Sequence, residues 1–371
     1  MKLVYSTVAT LLLLITGLQV QATTMVKREY TKTINKEYAI SPNGTTAITN
    51  KYGKVDIKTW DRNRVKVSVN IVVNAASETS AQEVFDRIAI DFLNSDDYVK
   101  AKTSIEPRKS RWFSWANNNK SDYRINYSVY VPGTNNLQLE HKYGDLYVAA
   151  VTGKVDMDVK YVNFKLEGLG DDSRVAFAYG KGAINSARDL RMSVGYGKLS
   201  MEEAMDLDIE SKYSEISVGK AADVSCSSKY DSYNLGTVRD FRNNGKYDNI
   251  NIEQADNVEV AGKYTQVTVG TVNQNVDLDM EYGGANFGLS NSFSECRLNG
   301  RYTDFAVTVA RGSEFELDAA TTYAGLRYPK GLDIVYEKEQ SNSHEVRGSL
   351  GNGSSEIVAR LNYGSLKVRE E

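Results

Sequence analysis

The 371-residue chain is 41% apolar and 25% charged with both signs interspersed, a composition that supplies a large core and excludes a disordered polyelectrolyte. Its formal net charge of −3 argues against nucleic acid as a partner. With two cysteines and two histidines, no Cys/His or His/His spacing supports a zinc site, and no glycine-rich loop leads from a strand into a helix as a phosphate cradle would.

Residues 1–22 read as a secretory signal peptide: Lys2, an apolar run from Leu11 to Ile15, then the small-x-small site Val20-Gln21-Ala22, giving an exported chain that begins at Thr23. The run is short for a spanning helix, and no cysteine follows it to carry a lipid. The protein is therefore expected in the periplasm, at the cell surface or secreted, with no transmembrane span in the mature chain.

Residues 23–136 are expected to form a first coil plus an α+β insert. The coil is NKYGKVDIKTW around Tyr52, with Val55 and Ile57 in phase. Between Trp60 and Gly133 the pattern lapses. Arg64 to Val73 alternates as a strand, and Glu78 to Leu93 carries a helix signal, with Ser77 as N-cap and Val84, Phe85, Ile88 and Phe92 at helical spacing. Strands follow over Tyr98 to Ile105 and Asp122 to Val131, and the insert is placed to cap one end of what comes next. It also holds Arg111-Trp112-Phe113-Ser114-Trp115 in a polar, basic loop. Two readings stand for these aromatics: a satellite core folded on the insert, or a contact site anchored by Trp112, Phe113 and Trp115.

Residues 137–371 are dominated by repetition. Tyr213, Tyr230, Tyr247 and Tyr264 recur every 17 residues, and the same phase extends to Tyr143, Tyr161, Tyr179 and Tyr196 before them and Tyr282, Tyr302, Tyr323 and Tyr363 after them. A period this short is the signature of a solenoid whose coils each lack a core of their own. Val258, Val260 and Gly262 alternate before Tyr264, and Val267 and Val269 alternate after it with the parity shifted. The unit thus reads as two short inward-facing strands with the tyrosine at a corner between them.

The expected fold is all-β: a parallel β-helix of about a dozen coils of 17–21 residues, a rod roughly 55 Å long at the spacing of parallel strands. The coil is too short to enclose a ligand. Cys226 and Cys296 fall in inward phase four coils apart, too far for a disulfide, and are expected as buried free thiols. The 40 residues between Tyr323 and Tyr363 leave room for two coils, with the excursion EKEQSNSHE before a final coil and the tail Arg369-Glu370-Glu371.

Little in the chain promises catalysis. His141 sits two places before a tyrosine and reads as a partly buried corner residue, His344 as solvated in a polar loop. Asp156 and Asp158, and again Asp277 and Asp279, alternate outward, but Arg174, Arg191 and Ser193 in register break up any calcium cluster. No catalytic, cofactor or metal residue is assigned.

The slot before the tyrosine is more regular. Lys142, Lys160, Lys212, Lys229, Lys246, Lys263 and Arg301 share it and line up as a basic stripe that would attract an anionic glycan, lipopolysaccharide phosphates or a membrane surface. The other reading is that these lysines guard exposed positions and pair with acids such as Glu210 and Glu215. Ser200, Ser217, Asn234, Asn251, Thr268 and Asn286, four places after the tyrosine, form a second, uncharged stripe suited to sugars.

With the NKYGKVDIKTW opening and the YSVYVPGTNNLQLEHKYGDLYV junction into the coils, the chain resembles the bacterial putative-adhesin domain family. The resemblance covers most of the mature chain. It implies a single-stranded β-helix of the cell envelope or exterior, without enzymatic activity and without assigned binding residues. The function expected is therefore a non-catalytic, adhesin-like binding or structural protein with an envelope polymer, glycan or protein as partner. The alternative is a carbohydrate-binding or lyase-like β-helix. An outer-membrane barrel is opposed by the constant period and by Lys229, Asp231, Lys246 and Asp248, read as filling outward slots.

Overall fold

The computed structural model describes residues 27–107, 122–353 and 355–371. Its strands are β1 Arg28–Ala39, β2 Thr45–Trp60, β3 Arg64–Ala75, β4 Ile88–Asn94, β5 Tyr98–Ile105, β6 Asp122–Pro132, β7 Asn136–Val148, β8 Val155–Leu169, β9 Ser173–Ala178 and β10 Lys181–Gly195. They continue as β11 Lys198–Lys212, β12 Glu215–Lys229, β13 Ser232–Lys246, β14 Asn249–Lys263, β15 Gln266–Leu289, β16 Glu295–Val309, β17 Phe315–Arg327, β18 Asp333–Gln340, β19 Ser343–Leu350 and β20 Ser355–Glu370, with one helix, α1 Glu78–Phe85.

From β10 to β14 each coil is one 15-residue strand, and neighbours pair in parallel at an offset of 17 residues, so Lys198, Glu215, Ser232 and Asn249 stand above one another. The coil closes because its alternation slips three times. In β12 the buried side chains are Ile216, Val218, Ala221, Val224, Cys226 and Ser228. Two outward residues in succession mark each bend: Gly219-Lys220, Ala222-Asp223 and Lys229-Tyr230. The sequence pattern announced only the last of these. The stacked inward residues form one continuous core, in which Cys226 and Cys296 are buried and free.

At the tyrosine bend the backbone turns left-handed. Thirteen tyrosines, from Tyr52 to Tyr363, have φ between 50° and 65°, a region that costs a non-glycine residue roughly 1–2 kcal/mol. Their rings project outward and stack in one unbroken file, with centroids 4.6–5.3 Å apart and planes within 15° of parallel. An interior ring makes two such contacts, each contributing about 0.5–1.5 kcal/mol beyond its buried area, which offsets the backbone cost. Replacing Tyr230 should therefore show an inverted order: Tyr230→Gly, free of the left-handed penalty, should be about 1 kcal/mol more stable than Tyr230→Ala, as read from urea midpoints. Equal stability of the two variants would contradict this.

The ends depart from simple stacking. On one side β2 pairs with β7; on the other it pairs in parallel with β5 and β6, which carry β4 and β3 antiparallel, and β3 in turn carries β1. The edge of the first coil is thus covered by the insert. The helix is shorter than the spacing predicts. Ser77 does cap it, accepting from the Ser80 N–H, but it ends at Phe85, and Ile88 and Phe92 belong to β4.

The 40-residue interval at the other end holds no coils. It holds an antiparallel hairpin, β18 with β19, laid on the edge of β17. Nor is the final coil outermost, because β20 lies between β16 and β17 and pairs in parallel with both. The tyrosine file follows this order, Tyr302 to Tyr363 to Tyr323.

Candidate functional site

The corner that carries the tyrosines also carries the basic stripe. Lys212, Lys229, Lys246 and Lys263 occupy four consecutive strands in register. Beyond Lys263 the row continues with Glu281 and then Arg301. A second basic run, Lys51, Lys142 and Lys160, is separated from the first by Ala178 and Gly195. Stacked like charges repel by about 1 kcal/mol per adjacent pair even in water.

Relief is local. Lys263 and Arg301 share Glu281, and the hydrogen bond between Lys263 and Glu281 holds the lysine above and the carboxyl below their ordinary values. The Lys229 ammonium lies 5.2 Å from the Tyr230 ring centroid. Among the described residues no acid forms an ion pair with Lys212, Lys229 or Lys246. Glu215, the expected partner, pairs with Lys198 at 2.7 Å instead.

Because each interior ring is covered on both faces by its neighbours, a sugar has no aromatic platform along the file. What the file offers is ring edges and a row of hydroxyls, with twelve of the rings 38–58% exposed. A groove of about 890 Å³ runs beside Tyr196, Tyr213, Tyr230, Tyr247 and Tyr264 and is lined also by Lys198, Glu215, Ser232 and Asn249. The uncharged stripe is confirmed in register from Ser200 through Ser217, Asn234 and Asn251 to Thr268, with Asn251 donating to Asn234 at 3.2 Å. Asn286 faces Ala306, where the stripe ends. A parallel groove of about 660 Å³ borders it.

Two residues are not where the repeat placed them. Asp231 and Asp248, expected outward, are 4% and 3% exposed. The left-handed tyrosine rotates the following residue inward, where its carboxylate accepts the amides of the bend: Asp231 takes Ser214 N–H at 2.6 Å, Lys229 N–H at 3.0 Å and the Ser211 hydroxyl at 2.8 Å. Asp248 takes Asp231 N–H at 2.9 Å and the Ser228 hydroxyl at 2.8 Å. Burial nevertheless raises both carboxyl pKa values.

The structure also stacks a four-carboxylate ladder outside the stripes expected above, Asp189, Asp206, Asp223 and Asp240, all seven places before a tyrosine. It is compensated at one end. Arg239 bridges Asp223 and Asp240, and Asn257 donates to Asp240 at 2.6 Å. Burial and its acidic neighbours push Asp189 and Asp223 up, whereas at Asp240 the Asn257 and Arg239 hydrogen bonds outweigh burial and pull it down. Asp156 pairs with Arg174, and Asp171 with Arg188. Among the described residues no group of three His, Cys, Asp or Glu side chains is arranged to hold a metal ion.

His141 is buried with its ring nitrogens 3.3 Å from the Asn50 carbonyl and 3.0 Å from the Gly53 carbonyl. Burial lowers its pKa. A histidine depressed below its unfolded value of about 6.5 contributes stability that is present above that pH and lost as pH falls. The urea midpoint should therefore drop between pH 7 and pH 5, and less so in His141→Gln; equal slopes in the two proteins would contradict the assignment. His344, expected in solvent, is bound to Glu337 at 2.9 Å across the terminal hairpin. Trp112, Phe113 and Trp115, like residues 1–22, lie outside the described residues.

No family model matches the chain, and no curated protein matches it in sequence. Among solved structures it is similar to a putative cell adhesion protein from Clostridium sporogenes, 8% identical over 92% of this chain and all of that one, with a TM-score of 0.18. It is also similar to a putative adhesin from Parabacteroides distasonis, at 11% over 92% and 97% with a TM-score of 0.29. A putative lipid binding protein from the same organism is 11% identical over 75% and 94%, with a TM-score of 0.25. Two of the three carry an adhesion description like that of the family the sequence resembles. Scores this low say nothing of ligand or role. Among the described residues no helix is long and apolar enough to cross a membrane.

Proposed function

We propose that this chain is a non-catalytic, exported β-solenoid of the bacterial cell envelope, an adhesin-like rod that binds or organises a polymeric partner through its tyrosine corner. One observation carries the reading: thirteen tyrosines at equal steps, flanked by a lysine row and an uncharged amide and hydroxyl row. Contacts repeated at one pitch are individually weak and collectively strong, which suits a polymer better than a small molecule. Enzymatic turnover would need an acid, a base and a substrate pocket held together. Here His141 is tied to backbone carbonyls, and Arg239 engages Asp223 and Asp240 of the aspartate ladder.

The second reading, a carbohydrate-binding module, is favoured by the Ser217, Asn234 and Asn251 stripe lying between two grooves. The test is to present the chain from Thr23 to Glu371 to a panel of envelope polymers and glycans, and to fractionate cells expressing the full chain. Binding that strengthens with polymer length, together with an exported product, is expected. Failure to bind any polymer, or retention in the cytoplasm, would refute the reading.

A further inference from the structure

We infer that the row Lys212, Lys229, Lys246 and Lys263 is a binding site for a linear polyuronate, a glycan with one carboxylate per sugar. The inference deepens the polymer-binding reading above and rests on it. Other outward basic residues on the solenoid meet the opposite sign: Arg174 meets Asp156, Lys198 meets Glu215, Arg242 meets Glu259 at 3.5 Å. The lysine row does not. Four like charges are stacked at the strand pitch and, among the described residues, only Lys263 forms an ion pair. On its inner flank stand Glu210, Ser227, Asn244 and Ala261, of which only Glu210, beside Lys212, is charged. A ligand that supplies an anion at each step would remove the mutual repulsion of the row.

Geometry selects among polyanions. The row is single-file and straight, with a step set by the strand spacing of about 4.8 Å. An extended uronate chain carries one carboxylate per pyranose at a comparable rise, successive ones turned about its axis within the reach of long, exposed lysine side chains. Duplex nucleic acid carries charge far more densely, one per about 1.7 Å of axis. An anionic membrane is a flat sheet and favours a broad basic patch with apolar groups to insert, whereas here the aromatic faces are sealed against one another. The hydroxyls of Tyr230 and Ser227 and the Asn244 amide are placed along the row to meet sugar hydroxyls.

The test is calorimetric titration of the folded chain with oligogalacturonates from dimer to octamer, with the methyl-esterified octamer and phosphatidylserine vesicles alongside. Affinity should rise steeply to about the tetramer, one sugar per lysine, and level off where Glu281 interrupts the row. Lys229→Gln/Lys246→Gln should lose roughly tenfold or more in affinity. Lys54→Gln/Lys367→Gln, of equal net charge and also exposed, should bind as the parent does. The esterified octamer should not bind.

Equal losses in the two double variants would mean that net charge alone acts, and would overturn the inference. So would binding independent of chain length, or vesicles bound through the row while uronates are ignored. A chain that ignores uronates but binds another polymer of the panel sinks this inference and leaves the binding-protein reading intact; one that binds nothing sinks both.

Discussion

Gly144→Ala should be among the most damaging single substitutions in the protein, costing on the order of 4 kcal/mol or more and leaving little folded chain. Gly144 follows Tyr143 and stands in register with Gly53, which follows Tyr52. A Cβ at Gly144 would lie 1.7 Å from the Gly53 carbonyl oxygen and 2.9 Å from the His141 ring. The obstruction is backbone, so no rotamer change relieves it; the first two coils would have to separate and give up their hydrogen bonds. Gly180 and Gly283 meet the same obstacle, at 2.0 Å from Val162 O and 2.2 Å from Thr265 O. Gly195→Ala is the control. Its Cβ would find nothing nearer than Ala178 Cβ at 3.8 Å, and the variant should stay within about 1 kcal/mol of the parent. Urea unfolding of both variants decides the matter, and comparable midpoints would disprove the packing of the bend.

Asp231→Ala should cost about 3 kcal/mol at pH 7. The substitution strips acceptors from the buried Ser214 N–H, from the partly buried Lys229 N–H and from the buried Ser211 hydroxyl. Each buried donor left unpaired costs about 1–3 kcal/mol, and the removed carboxylate returns part of that because its own burial was unfavourable. Asp231→Asn should recover only part of the loss, since an amide keeps one acceptor and turns a donor toward donors. The carboxyl pKa is raised by burial, so by linkage the stability tied to its titration is fully present below the unfolded value of about 3.9 and is lost as pH rises through the folded one. An Asp231→Ala variant as stable as the parent would mean that the carboxylate does not serve the bend.

The coil was legible because its period is constant: a fixed phase for Tyr213 through Tyr264 implies register, and register implies rows, so the lysine and amide stripes could be read before any coordinates. What escaped has physical causes. Tyrosine seldom adopts a left-handed backbone, so nothing in the letters said that Asp231 would turn inward rather than follow the alternation of Lys229. The bends at Gly219-Lys220 and Ala222-Asp223 are two-residue slips that vary in composition from coil to coil. Ile88 and Phe92 satisfy a helical step and, with Ile90, a strand alternation equally well, and only the stop at Asp86 decides. The place of β20 between β16 and β17 is a matter of spatial order, which a repeat of near-identical coils does not encode.

The most direct test of the tyrosine corner as the working surface is hydroxyl-radical footprinting of the chain, free and bound to whichever envelope polymer it retains, read by mass spectrometry at each tyrosine. The account predicts protection at Tyr213, Tyr230, Tyr247 and Tyr264 with Tyr328 and Tyr336 of the terminal hairpin region unchanged. Retained polymer with those four rings still oxidised at the free rate, or protection centred on Tyr328 and Tyr336, would contradict it.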